Sequence, residues 1–175
     1  MINFIISELL NYNFIRREGF NYLGSKAKIF YPFIITEKKL ISIGSNTKIL
    51  KNSRIQNFVF DNCKAKEIRI GDNCYIGYNF TILNASSVII GDVCLIASNV
   101  MITSENHGMN PESEKSYSFQ GLTSKPVIIN SDAWIGQNVS ILSGVTIGKK
   151  SIIGTNSVVT KNIPDYCIAV GGRVC

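Results

Sequence analysis

Aliphatic residues recur at every sixth position along most of the chain. Ile129, Ile135, Ile141, Ile147, Ile153 and Val159 keep that step without a break. The same step relates Ile43, Ile49 and Ile55, then Ile70, Ile76 and Ile82, then Ile90, Ile96 and Ile102. Glycine often follows the aliphatic, as at Gly44, Gly71, Gly77, Gly91 and Gly148. Four places after it comes a small or apolar residue: Thr47, Ser53, Cys74, Cys94, Val100, Ala133, Val139, Val145, Ser151 and Ser157. Asn and Asp fill the positions between, as at Asp72, Asn73, Asn99, Asn138 and Asn156.

A period of six does not keep one face of a 3.6-residue helix buried, but it does return to the same side of a strand. Short strands joined by Gly/Asn corners that accept positive φ fit the pattern. Three such strands form a triangular coil of about eighteen residues, and coils stack at roughly 4.8 Å. The prediction is an all-β chain, a parallel β-helix running at least from Ile41 to Ile163. An antiparallel meander would not hold the phase for so many steps. Longer steps such as Ile82 to Ile90 are small insertions at a corner. Cys74 and Cys94 are expected to stack on adjacent coils as buried, reduced thiols, although their backbone spacing lies within disulfide reach.

The domain division that follows is a lead-in segment over 1–26, the β-helix over 27–171 with an inserted loop over 104–125, and a short tail over 172–175. The segment MINFIISELL is apolar, but it contains Glu8 and is soon followed by Arg16, Arg17 and Glu18. It is short for a spanning helix and lacks a basic start and a small-residue cleavage site. A short amphipathic helix is expected there, packed on the body or making peripheral contact with a membrane. The expected location is the cytoplasm or the inner face of the membrane.

With 45% hydrophobic and 17% charged residues in 175, the chain is one globular domain, neither disordered nor a coiled coil. Five cysteines without a CxxC pair, and one histidine, do not suggest a zinc site, so no metal is expected. The net charge of +6 suits an anionic ligand. No basic run interleaved with aromatics marks a nucleic-acid groove, so no nucleic-acid partner is expected.

The phase is lost after Ile102 and regained at Ile129. The polar stretch between carries His107, the sole histidine. A long loop inside a repetitive scaffold is usually functional, and histidine is the natural proton acceptor near neutral pH.

These residues resemble a known family. The repeats, Ser104-Glu-Asn-His107-Gly-Met, Lys125-Pro-Val-Ile-Ile, Asp132-Ala-Trp134-Ile-Gly-Gln137, Ile153-Gly-Thr155 with the following Thr160-Lys161, and Ile163-Pro164 are similar to hexapeptide-repeat acetyltransferases. The resemblance is to the galactoside and maltose O-acetyltransferase group and, within it, to bacterial O-antigen and capsule O-acetyltransferases. It covers roughly residues 68 to 171. It implies a left-handed β-helix, a homotrimer, and acetyl-CoA bound between neighbouring coils. His107 matches the general base, which would accept the proton of a sugar hydroxyl attacking the thioester in a ternary complex. The backbone N–H of Gln137 matches the oxyanion donor. Trp134 matches an indole lining the donor and acceptor site, and Thr155 a backbone contact to pantetheine. Gly136 and Gly154 belong to the same set of donor-binding positions. Thr160 and Lys161 match a pair near the adenosine phosphates, where a cation stabilises negative charge. Asn79, Asn84 and Asn106 are expected to face one region and to hydrogen-bond the sugar.

Departures from the family pattern are also visible. The chain closes Val170-Gly-Gly-Arg173-Val-Cys175, without the usual proline or the C-terminal helix, and Arg173 is expected to offer a cation to CoA. Ser143 replaces the usual proline before glycine, which reads as a local change of stiffness. Gly77 stands where galactoside enzymes have a side chain touching the acceptor, so their sugar preference does not carry over. The expected function is O-acetylation of a sugar of a surface polysaccharide or its precursor. Acetylation of an antibiotic or of a nucleotide-linked amino sugar, and a non-enzymatic scaffold, are the alternatives.

Overall fold

The computed structural model describes residues 19–60, 63–64, 66–171 and 173–174, so the helix expected near the N-terminus lies outside the described residues. The chain winds as a left-handed parallel β-helix with three flat faces. The first face stacks Tyr22–Leu23, Ile41–Ile43, Glu67–Ile70, Ser87–Ile90, Val127–Ile129 and Thr146–Ile147. The second stacks Lys28–Ile29, Lys48–Ile49, Tyr75–Ile76, Leu95–Ile96, Trp134–Ile135, Ile152–Ile153 and Ile168–Val170, with the antiparallel strand Arg173–Val174 on its edge. The third stacks Phe33–Ile35, Ser53–Asn57, Thr81–Asn84, Met101–Thr103, Ser140–Ile141 and Val158–Val159. Each circuit visits the faces in this order, and a seventh coil begins where Ile163 bridges to Ile147.

The six-residue pattern maps onto three ladders. Ile43, Ile70, Ile90, Ile129 and Ile147 are in register on the first face. Ile49, Ile76, Ile96, Ile135 and Ile153 form the second ladder, and Ile55, Ile82, Ile102, Ile141 and Val159 the third. These side chains are buried. β-Branched residues suit this surface, and each contributes roughly 1.5–3 kcal/mol on burial. The ten small or apolar residues four places later are also inside, none above 3% exposed. Cys74 and Cys94 lie on adjacent coils, one residue before the paired Tyr75 and Leu95, and both are free thiols as expected.

Corners between the first and second faces, and between the second and third from the second coil on, are tight turns with one left-handed residue each. At the second corner this residue is Asn52, Asn79, Asn99, Asn138 or Asn156, with φ between 56° and 64°. Asparagine tolerates that conformation because its side chain finds local hydrogen bonds. Here it bonds along the stack, Asn79 Nδ2 donating to Asn99 Oδ1 (2.8 Å), Asn99 to Asn138 (2.9 Å) and Asn138 to Asn156 (2.9 Å). Among the described residues the third corner carries no such ladder of left-handed asparagines. It takes the insertions at 58–66, 85–86 and 104–126.

Candidate functional site

The long insertion leaves and returns at the third corner. Its base is an antiparallel pair, Glu105–Asn106 against Thr123–Ser124. His107 follows at once, exposed, and its imidazole makes no hydrogen bond among the described residues. Further out, Gln120 clasps the loop to itself. Its Oε1 accepts from Asn110 N (3.0 Å), and its Nε2 donates to the carbonyls of Asn110 (3.0 Å) and Lys115 (3.1 Å). Met109 and Phe119 at the tip are 73% and 78% exposed.

The base is anchored through Ser104, which is wholly buried. Its Oγ accepts from Ala85 N (2.9 Å) and Ser86 N (3.1 Å) and donates to Asn84 Oδ1 (2.7 Å). Its carbonyl accepts from Lys125 N (3.0 Å) and from Ser143 Oγ (3.0 Å). Ser143 Oγ in turn accepts from Lys125 N at 3.0 Å. The serine in place of proline therefore does more than change stiffness. It ties both ends of the histidine loop to the next coil, a role the sequence reading missed.

Gln137 lies at the second corner, exposed, one residue after Gly136. Its backbone N–H donates no hydrogen bond among the described residues. Thr155 occupies the equivalent place one coil on, after Gly154, and is also exposed. Trp134 is outward on the second face and 48% exposed, between Leu95 and Ile152 in register. Thr160 and Lys161 are exposed at the third corner of the sixth coil. The backbone of Arg173 pairs with Val170, and its side chain lies outside the described residues.

The three asparagines do not face one region. Asn79 belongs to the ladder of the second corner. Asn106 is half-buried in the hairpin base at the third. Asn84 is wholly buried, donating to Asn57 Oδ1 (2.8 Å) and Glu67 O (3.3 Å) while its Oδ1 accepts from Ser104 Oγ and from Ser86 N (3.2 Å). Its amide is fully engaged inside the prism, so the expected sugar contact is corrected to a structural role.

His107, Thr160 and Lys161 thus stand at the third corner, Gln137 and Thr155 at the second, and Trp134 on the second face. Among the described residues no hydrogen bond joins the two groups. About six residues span a face, which at ~3.3 Å each separates its corners by up to roughly 20 Å.

Comparison with known proteins adds the following. The family described as bacterial transferase hexapeptide (six repeats) matches residues 126–161, and the hexapeptide repeat of succinyl-transferase matches residues 67–104. The galactoside O-acetyltransferase of Escherichia coli is 43% identical over 107 residues, 59% of this chain and 50% of that protein. An acetyltransferase homologue of Schizosaccharomyces pombe is 32% identical over 158 residues, 82% of this chain and 75% of the relative. The lipopolysaccharide-biosynthesis O-acetyltransferase homologue WbbJ of Escherichia coli is 36% identical over 110 residues, 59% of this chain and 56% of that one. The chain spans about half the length of these two Escherichia coli relatives. Among solved structures, the hexapeptide-repeat acetyltransferase VCA0836 of Vibrio cholerae, complexed with acetyl coenzyme A, is similar with a TM-score of 0.59 and 26% identity, covering 96% of this chain and 80% of its own.

Proposed function

The chain belongs to the hexapeptide-repeat acetyltransferase family, and from that premise we propose that it transfers an acetyl group from acetyl-CoA to a sugar hydroxyl. The observation that carries this reading is His107, the sole histidine, exposed at the anchored base of the inserted loop, its imidazole making no hydrogen bond among the described residues. The acceptor is a sugar of a surface polysaccharide or its precursor, a reading supported by the similarity to a lipopolysaccharide-biosynthesis protein and a galactoside enzyme.

In this reading His107 takes the proton of the acceptor hydroxyl as that oxygen bonds to the thioester carbonyl carbon. The Gln137 N–H, which has no acceptor among the described residues, stabilises the oxyanion. When the C–S bond breaks, the proton on His107 passes to the CoA sulfur, so the products are the sugar ester and free CoA. Thr155, Gly136 and Gly154 flank the pantetheine arm, Thr160, Lys161 and Arg173 serve the phosphates, and Trp134 lines the acetyl end. Asn79 and Asn106 remain as polar groups toward the acceptor.

The split of these residues over two corners and a face supports a site completed by a second copy, and the homotrimer supplies three such sites by closed symmetry. Two exposed apolar surfaces support the same assembly. One is the outward column of Tyr75, Leu95, Trp134 and Ile168, each 43–51% exposed, and the other is the loop tip with Met109 and Phe119. Among the described residues no helix is long and apolar enough to cross a membrane.

The test is calorimetric binding of acetyl-CoA followed by CoA release with a panel of sugar acceptors. His107→Ala is expected to bind acetyl-CoA normally and to lose roughly 100- to 10,000-fold in turnover. Absence of acetyl-CoA binding by the wild type, or near-normal turnover by the variant, refutes the reading.

A further inference from the structure

The net positive charge of residues 19–175 lies at one end of the prism. Residues 19–72 hold ten Lys and Arg against four Asp and Glu, a net +6 that equals the net charge of the whole chain. Residues 73–175 hold six of each, and residues 1–18 two of each. The fold turns this bias along the sequence into a bias in space, because successive residues fill successive coils.

The cations ring the first three coils on every side. Lys28 and Lys48 are in register on the outside of the second face. Arg54 is outward on the third face beside Ile34, and Arg69 outward on the first face beside Ser42. Lys26, Lys39 and Lys66 are exposed at the corners. Glu37 lies 3.6 Å from Lys39, and Arg54 Nε donates to the neutral Gln56 at 2.6 Å. Tyr22, Tyr31 and Ile34 are exposed within the same belt. Their neighbours on later coils of those faces carry no comparable charge: Ser42 and Arg69 give way to Ile89, Ile128 and Thr146 along the first face.

We infer that the first three coils form a docking surface for an anionic lipid bilayer. Clustered Lys and Arg near a surface are drawn to acidic headgroups, and exposed tyrosines suit the headgroup layer. The geometry is consistent with this. Lys48 and Trp134 are three strand spacings apart on one face, roughly 14 Å at ~4.8 Å each, so docking by this end leaves the later coils just clear of the headgroups. A flat polyanion such as a nucleic acid would need a groove or stripe, whereas these cations encircle an end. The inference does not depend on acyl transfer, because binding is read without turnover.

The experiment is co-sedimentation of the full chain with phosphatidylcholine vesicles, with and without phosphatidylglycerol. Binding is expected only with the anionic lipid, and is expected to vanish near 1 M salt, where the Debye length falls to about 3 Å. The combined variant Lys48→Glu, Arg54→Glu and Arg69→Glu should lower the partition at least about 100-fold. Lys115→Glu, Lys149→Glu and Lys150→Glu, an equal charge change beyond the belt, should lower it by less than about tenfold. Should the first variant fail to fold by circular dichroism, the single changes Lys48→Gln and Arg69→Gln each predict roughly a fivefold loss. Three results overturn the inference: no binding to anionic vesicles, equal loss in both triple variants, or binding that survives the belt variants and so resides in residues 1–18.

Discussion

The Ser143 hydroxyl donates to the Ser104 carbonyl at 3.0 Å and so fastens the fifth coil to the residue where the histidine loop begins. The same oxygen receives the Lys125 N–H, where the loop ends. One side chain therefore touches both ends of an insertion of about twenty residues, beside the two-rung hairpin, the direct Lys125 N–H to Ser104 carbonyl bond and the buried Ser104 hydroxyl.

Ser143→Ala removes both bonds while leaving the backbone path intact. A net loss of about 1 kcal/mol in global stability is expected. The larger effect should be local. Amide exchange at Lys125 and Asn106 should accelerate, and turnover should fall further than the change in stability alone explains, because His107 loses its fixed footing. Hydrogen exchange read residue by residue checks this. Unchanged protection at Lys125 would show that the hairpin holds the loop without Ser143.

Gly136 and Gln137 are neighbours with opposite expectations. A Cβ on Gly136 would lie 2.7 Å from both Ile153 O and Thr155 N, backbone atoms of the next coil that cannot turn aside. Gly136→Ala should therefore force the coils apart and cost about 1–3 kcal/mol. Gln137→Ala should leave both stability and turnover within about twofold, since only its backbone N–H is assigned a role. Thermal unfolding and CoA release on both variants decide the matter. A large activity loss in Gln137→Ala would move the role to the side chain.

Much of this architecture is legible in the sequence because its cause is periodic. The six-residue step of isoleucines is the stacking rule itself, and the loop shows as the place where the step stops. The error at Asn84 has a physical origin that the sequence also contains. In a strand, residues two apart share a side, so Asn84 must face inward with Ile82, as Ser104 does with Ile102 and Asn57 with Ile55. Expecting Asn84 to face the sugar overlooked that parity. The same count puts Ser143 on the side of Ile141 and would have found the anchor. What no parity count gives is what would cover Trp134 and the outward apolar column in the proposed trimer.

Val93 is the misfit of the first corner. It sits at φ 60°, where its counterparts one coil away are Asn73 and Asp132. A β-branched residue is strained in the left-handed region by roughly 1–2 kcal/mol, and this one is exposed, with little packing in return. Val93→Asn relieves the strain and offers an amide to the stack, as Asn46 and Asn73 already do at 3.2 Å. Stabilisation by about 1 kcal/mol is expected, seen as a rise of roughly 2–4 °C in Tm. A fall in Tm would mean that Val93 packs against a surface outside this chain.

The stacked thiols make stability depend on pH in a definite direction. Cys94 is pushed well above the ordinary thiol range, first by its hydrogen bond to Cys74 and then by burial, while that same bond draws Cys74 down. The folded pair therefore keeps one proton at alkaline pH, whereas both thiols of the unfolded chain ionise around pH 8.5. Above that point the unfolded state binds fewer protons than the folded one, so stability must fall as pH rises, by at most about 1.4 kcal/mol per unit. Denaturant midpoints from about pH 8.5 to about pH 10 should show the decline in the wild type and a flatter course in the Cys74→Ala, Cys94→Ala double variant. Equal slopes in the two proteins would show that the thiols titrate alike in the folded and unfolded chain, and would remove the stacked hydrogen bond as its cause.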